Sequence, residues 1–142
     1  MFSKLQILFA TLIFVLLLFS GCGKFVKFGG KVTDSNGQPY TKGYVIFTNQ
    51  QFSARGKLQP NGTYKLDSLK DGDGLAPGTY QVYLMGHQTI PIDAMHATSE
   101  LDDKYEDPST SGLTCEVVKG GRFDFTVELK TEEELKKIQN KK

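Results

Sequence analysis

From Phe25 onward, apolar residues recur at every second position, the spacing of strands buried on one face. Val26, Phe28, Gly30 and Val32 share one side, while Lys27, Gly29, Lys31 and Thr33 share the other. The same alternation predicts strands over 43–48, with Val45 and Phe47 inward, and over 63–66, with Tyr64 and Leu66 inward. It recurs over 79–85 with Tyr80, Val82 and Leu84, and again at Leu113, Cys115 and Val117. A shorter strand is expected over 52–58, and the cleanest pattern puts Phe123, Phe125, Val127 and Leu129 inward. Turn residues punctuate the runs: Asp34 to Pro39 (Asn36-Gly37 tolerating positive φ), Pro60-Asn61-Gly62, Pro77-Gly78 and Gly120-Gly121. About seven strands at this spacing predict an all-β sandwich over 25–130. Only 131–142 reads as helix, opened by a Thr131/Glu134 capping box and supported by Glu132–Lys136 and Glu133–Lys137 pairs.

The one long apolar run lies at the other end. Met1 to Lys4 carries a single positive charge, Leu5 to Phe19 is continuously apolar but for Gln6 and Thr11, and Ser20-Gly21-Cys22 follows. As a helix, 5–19 spans about 22 Å, short of the roughly 30 Å hydrocarbon core, which favours a cleaved signal over a permanent span. Small residues directly before a cysteine mark a bacterial acylation site, so residues 1–21 are expected to be removed and Cys22 to carry lipid. Residues 22–24 then form a very short tether, holding the domain against the bilayer with Lys24, Lys27 and Lys31 near anionic headgroups.

Charge and cysteine usage narrow the function classes. Lys4 alone of the 17 Lys and Arg lies in 1–21, leaving 16 cations against 16 acids, which argues against a nucleic-acid partner. Fifteen glycines suit a turn-rich β protein. Of the two cysteines, acylation consumes Cys22 and leaves Cys115 a buried, inert thiol.

Several motifs in order resemble a known family. Gly30-Lys31-Val32-Thr33, Asn36-Gly37-Gln38-Pro39 and Val45-Ile46-Phe47 are similar to the opening of carboxypeptidase regulatory-like domains. Asn61-Gly62-Thr63-Tyr64-Lys65-Leu66 and Pro77-Gly78-Thr79-Tyr80-Gln81-Val82 resemble that family's two most recognisable signatures. Lys104-Tyr105-Glu106-Asp107-Pro108, Ser111-Gly112-Leu113-Thr114 and Phe123-Asp124-Phe125 are similar to a lipoprotein subgroup common in planctomycetes and relatives. The resemblance implies a seven-stranded, transthyretin-like Greek-key sandwich and no activity of its own.

No nucleophile elbow, zincin motif or phosphate loop is present, and the tail Gln139-Asn140-Lys141-Lys142 lacks the Tyr-Arg-Gly-Ser ending of the fold's hydrolase relative. A small hydrolase is therefore the weakest reading, and no catalytic residue, metal or cofactor is assigned. Asp71-Gly72-Asp73-Gly74 lacks the later ligands of a calcium loop, with Leu75 and Tyr80 where acids belong, and reads as an acidic turn. His87 and His96 have no obvious third ligand. The long segment 86–112 is expected to wrap an edge of the sandwich; otherwise it is the best site candidate. Candidate ligand-surface residues are Tyr44 and Tyr83, on the outward parity of their strands, with Tyr105 and Asp107 in that segment. Tyr40 is a further ring candidate. The expectation is a lipid-anchored, non-enzymatic protein of the cell envelope, in the outer membrane or the cell membrane. It would act in adhesion, scaffolding or envelope structure, with an envelope protein or a glycan as partner; the alternative is a ligand-binding module for a carbohydrate or an extracellular peptide.

Cys22→Ser is expected to move the protein from membrane to soluble fractions on cell fractionation; unchanged partitioning would contradict acylation.

Overall fold

The structure, a computed structural model, describes residues 24–68, 73–86 and 99–140. Its strands are β1 Gly29–Asp34, β2 Tyr44–Thr48, β3 Ser53–Lys57, β4 Thr63–Lys65, β5 Gly78–Met85, β6 Leu113–Val117 and β7 Phe125–Val127. A 3-10 turn at Asp103–Glu106 precedes β6, and one helix, α1 (Glu132–Gln139), follows β7. Two sheets result, ordered β4-β1-β7 and β3-β2-β5-β6. All neighbours are antiparallel except β1 and β7, which run parallel with Val32 opposite Phe125 and Asp34 opposite Val127.

The inner faces of the two sheets close on one core. Val32, Tyr64 and Val127 come from the first sheet; Val45, Phe47, Tyr80, Val82, Leu84 and Val117 come from the second, and none exceeds 2% exposure. Phe47 sits between the layers, its ring centroid 6.0 Å from Phe28, 6.2 Å from Tyr64 and Phe123, and 6.4 Å from Tyr80. The period-two alternation therefore places the interior where it was expected.

The strand limits are narrower than the alternation predicts. Val26 and Phe28 precede β1: Val26 makes an isolated bridge to Leu75, and the Phe28 carbonyl accepts the Leu66 N–H. The last run is ladder only at Phe125–Val127. Before it, the Phe123 N–H donates to Gly29 O and the Tyr64 hydroxyl donates to Phe123 O at 2.7 Å; after it, Leu129 bridges to Leu101.

Glycine permits the close approach at β1. A Cβ on Gly30 would stand 1.9 Å from the Phe123 carbonyl oxygen. Gly37 answers a different need: φ is +76° in a turn whose Asn36 and Gln38 N–H groups both donate to the Asp34 carboxylate. The capping box of α1 is present, with Thr131 Oγ accepting from the Glu134 N–H and the Glu134 carboxylate accepting from the Thr131 N–H. With Leu135 half-buried and Ile138 45% exposed, the helix adds little to the core.

Gly30→Ala is expected to destabilise by about 1–3 kcal/mol because backbone must move, more than Gly37→Ala, whose cost of roughly 1 kcal/mol is conformational alone. Denaturant midpoints of the two variants check the order, and equal midpoints would contradict the close approach at Gly30.

Candidate functional site

The outer face of the four-stranded sheet carries a continuous apolar row. Register places Tyr44 between Lys57 and Met85, and Ile46 between Arg55 and Tyr83. These side chains alternate with the core residues Val45, Phe47, Val82 and Leu84, so they stand on the opposite face. Ile46 is nevertheless only 7% exposed, although it lies outside the core cluster, because its cross-strand neighbours flank it. Tyr44 and Tyr83 are half-buried, Met85 is 53% exposed, and the Arg55 guanidinium lies 5.6 Å from the Tyr44 ring centroid. The patch thus combines two tyrosines, an isoleucine, a methionine and an arginine, none committed to the core.

Two expected surface residues are elsewhere. Tyr105 is 5% exposed, not a surface ring: its hydroxyl accepts the Glu128 N–H at 3.3 Å, and the Lys104 ammonium lies 5.0 Å over its ring. Tyr40 is likewise 5% exposed, and burial pushes its hydroxyl pKa well up. Both lie outside the strands, in segments with no alternation to reveal which way a ring faces. Asp107 is exposed, but it serves a turn. Its carboxylate accepts the Ser109 N–H at 2.7 Å and the Ser109 hydroxyl, and these bonds hold its pKa down.

The described part of the long segment packs onto the body. Leu101 is fully buried; its neighbours exchange backbone bonds with the end of the last run, Asp102 N–H to Glu128 O and Lys130 N–H to Glu100 O. The Ser111 hydroxyl donates to Val82 O at 2.6 Å. Ion pairs Lys104–Glu128 and Lys130–Asp103 fasten the same contact. Cys22, His87, His96, Asp71 and Gly72 lie outside the described residues. Among the described residues, no cluster of His, Cys, Asp and Glu is suited to a metal ion, and no helix is long and apolar enough to cross a membrane.

A second concavity lies at the start of β1. It is a groove of about 420 Å³ with Lys27, Lys65 and Arg122 at its rim and Phe28, Tyr64 and Leu66 among its lining. Arg122 pairs with Asp124, whose carboxylate also accepts the Lys31 N–H at 2.8 Å. This groove is assembled from three distant stretches, and no local motif announces it.

Comparison with known protein families, with curated proteins and with solved structures finds no match for this chain.

Cys115 is 6% exposed, and burial, aided by the neighbouring Glu116 charge, pushes its pKa to about 11. At pH 8 only about one thiol in a thousand is then ionised, so labelling is expected to be slow in native protein and fast once it is unfolded. The Cys22→Ser variant, in which Cys115 is the single thiol, gives the clean measurement; rapid native labelling at pH 8 would contradict the burial.

Proposed function

We propose that this protein is a lipid-anchored, non-catalytic envelope lipoprotein whose domain adheres to or scaffolds another envelope protein through the outer face of its four-stranded sheet. The observation that carries this reading is the Tyr44, Ile46, Tyr83, Met85 row with Arg55 beside it. Tyr, Met and Arg are the residue types enriched where proteins touch, and a half-buried ring already ordered by its neighbours loses little entropy on contact. Ser20-Gly21-Cys22 supplies the anchor, with acyl chains each contributing about 0.8 kcal/mol per buried methylene.

The fold assignment within this proposal is the transthyretin-like Greek key of carboxypeptidase regulatory-like domains. It is supported by the motif order and by a chain that changes sheet between β1 and β2, β3 and β4, β4 and β5, and β6 and β7. The envelope location, outer membrane or cell membrane, rests on the same leader.

A glycan partner is the second reading, favoured by two half-buried tyrosines on one sheet face. A sugar needs an open ring face to stack on, and the Tyr44 ring already has a guanidinium beside it, which ranks a protein partner first.

A photo-crosslinking residue at position 83 is expected to trap a discrete protein in intact cells, whereas one at Thr126, on the outside of the other sheet, traps none. Tyr44→Ala should weaken capture about tenfold or more. Equal crosslinking from both positions would contradict the assignment; binding on a glycan array that Tyr44→Ala abolishes would replace the protein partner with a sugar.

A further inference from the structure

The strands sort the molecule into two ends. β1 starts, β4 ends and β7 starts at one end of the first sheet, and β2 ends, β5 starts and β6 ends at one end of the second; the Phe25–Phe52 and Phe28–Phe47 ring contacts bring these two ends together. The chain enters the described body at this end, through Lys24, two residues after Cys22. The Asn36-Gly37 turn, the segment 99–112 and α1 lie toward the other end, about 20–25 Å away by strand length.

The entry end has a composition of its own. Phe52 is 38% exposed and meets Phe25 edge to face, ring centroids 5.9 Å apart. Val118 is 47% exposed beside Gly121 and the Phe28 ring. Around these apolar side chains stand Lys24, Lys27, Lys65 and Lys119, which make no ion pair among the described residues, and Arg122, which pairs with Asp124. Of the acids at this end, Asp73 accepts from the Ser68 N–H at 2.8 Å, Asp124 pairs with Arg122 and accepts the Lys31 backbone N–H, and Glu116, beside the end of β6, is exposed. Exposed apolar side chains ringed by lysines suit a layer that is anionic above and apolar below.

We propose that this end of the domain docks on an anionic lipid surface, with Phe52 and Val118 set into the headgroup layer and Lys24, Lys27, Lys65 and Lys119 against the phosphates. The occupant is a bilayer because the same end receives the anchored segment and its four lysines without ion pairs outnumber the exposed acid Glu116. This deepens the anchoring proposed above and rests on it. The consequence is an orientation: the bilayer holds the entry end, and the Tyr44–Met85 row stands along the side of an upright body. Lys31 lies on the outer face of the three-stranded sheet, its backbone N–H donating to the Asp124 carboxylate.

The test uses the full-length protein as isolated from cells, inserted in vesicles of phosphatidylcholine alone or with about one-third phosphatidylglycerol. A spin label is attached at Gln51→Cys, next to Phe52, or at Ser35→Cys, in the far turn. The Gln51 label is expected in the headgroup layer of the anionic vesicles only, and high salt should expel it; the Ser35 label stays in water throughout. Lys27→Gln with Lys65→Gln, both exposed and outside the core, should lower the docked fraction about tenfold or more, at roughly fivefold per lysine. A Gln51 label equally water-exposed in both vesicles, with lipid on Cys22 confirmed by mass spectrometry, overturns the docking and leaves the anchor standing. A label that enters anionic vesicles while Cys22 carries no lipid overturns the anchor and upholds the docking.

Discussion

The approach of Phe123 to the backbone of β1 is the constraint from which the rest of the body follows. Gly30 has no side chain where the Phe123 carbonyl arrives, the Phe123 N–H donates to Gly29 O, and the Tyr64 hydroxyl donates to the same Phe123 carbonyl. That contact feeds β7 into a parallel ladder with β1 and makes β1 the central strand of its sheet. It also lays Phe123 edge-on to Phe47, the ring through which the second sheet reaches Phe28 and Tyr64. Burial of these aromatics supplies the driving force; the glycine supplies the room.

The sequence legibly separates inside from outside along each strand, because a period of two has one physical meaning when one face is buried. Tyr64, Tyr80, Cys115 and Val127 are buried as their alternation requires. Alternation does not name a partner strand. β6 and β7, joined through Gly120-Gly121, look like two arms of a hairpin, yet they belong to different sheets because β7 finds the glycine-cleared edge of β1. Loop aromatics are illegible for another reason. Tyr40 and Tyr105 have no parity, and their burial depends on what the fold brings to them, for Tyr105 the Glu128 N–H and the Lys104 ammonium. Ile46 is a milder case: outward by parity, it is sheltered by long side chains on the flanking strands.

The candidate surfaces differ in the same way. Tyr44 and Tyr83 were visible from strand parity alone, whereas the entry end draws on residues near 24, 52, 65 and 119, which only the strand order collects. Together these surfaces define a body with a direction. One end receives the chain at Lys24 and is basic and partly apolar; the sheet flank carries the Tyr44–Met85 row; the far end is closed by the 99–112 segment, whose ion pairs hold it to the end of the last run.

The parallel pairing of β1 with β7 is most directly tested by backbone cross-strand NMR contacts in the folded protein. Contacts joining Val32 to Phe125 and Asp34 to Val127, ascending together along both strands, are expected. Contacts joining β6 to β7 in opposite directions, as in a hairpin across Gly120-Gly121, would contradict it.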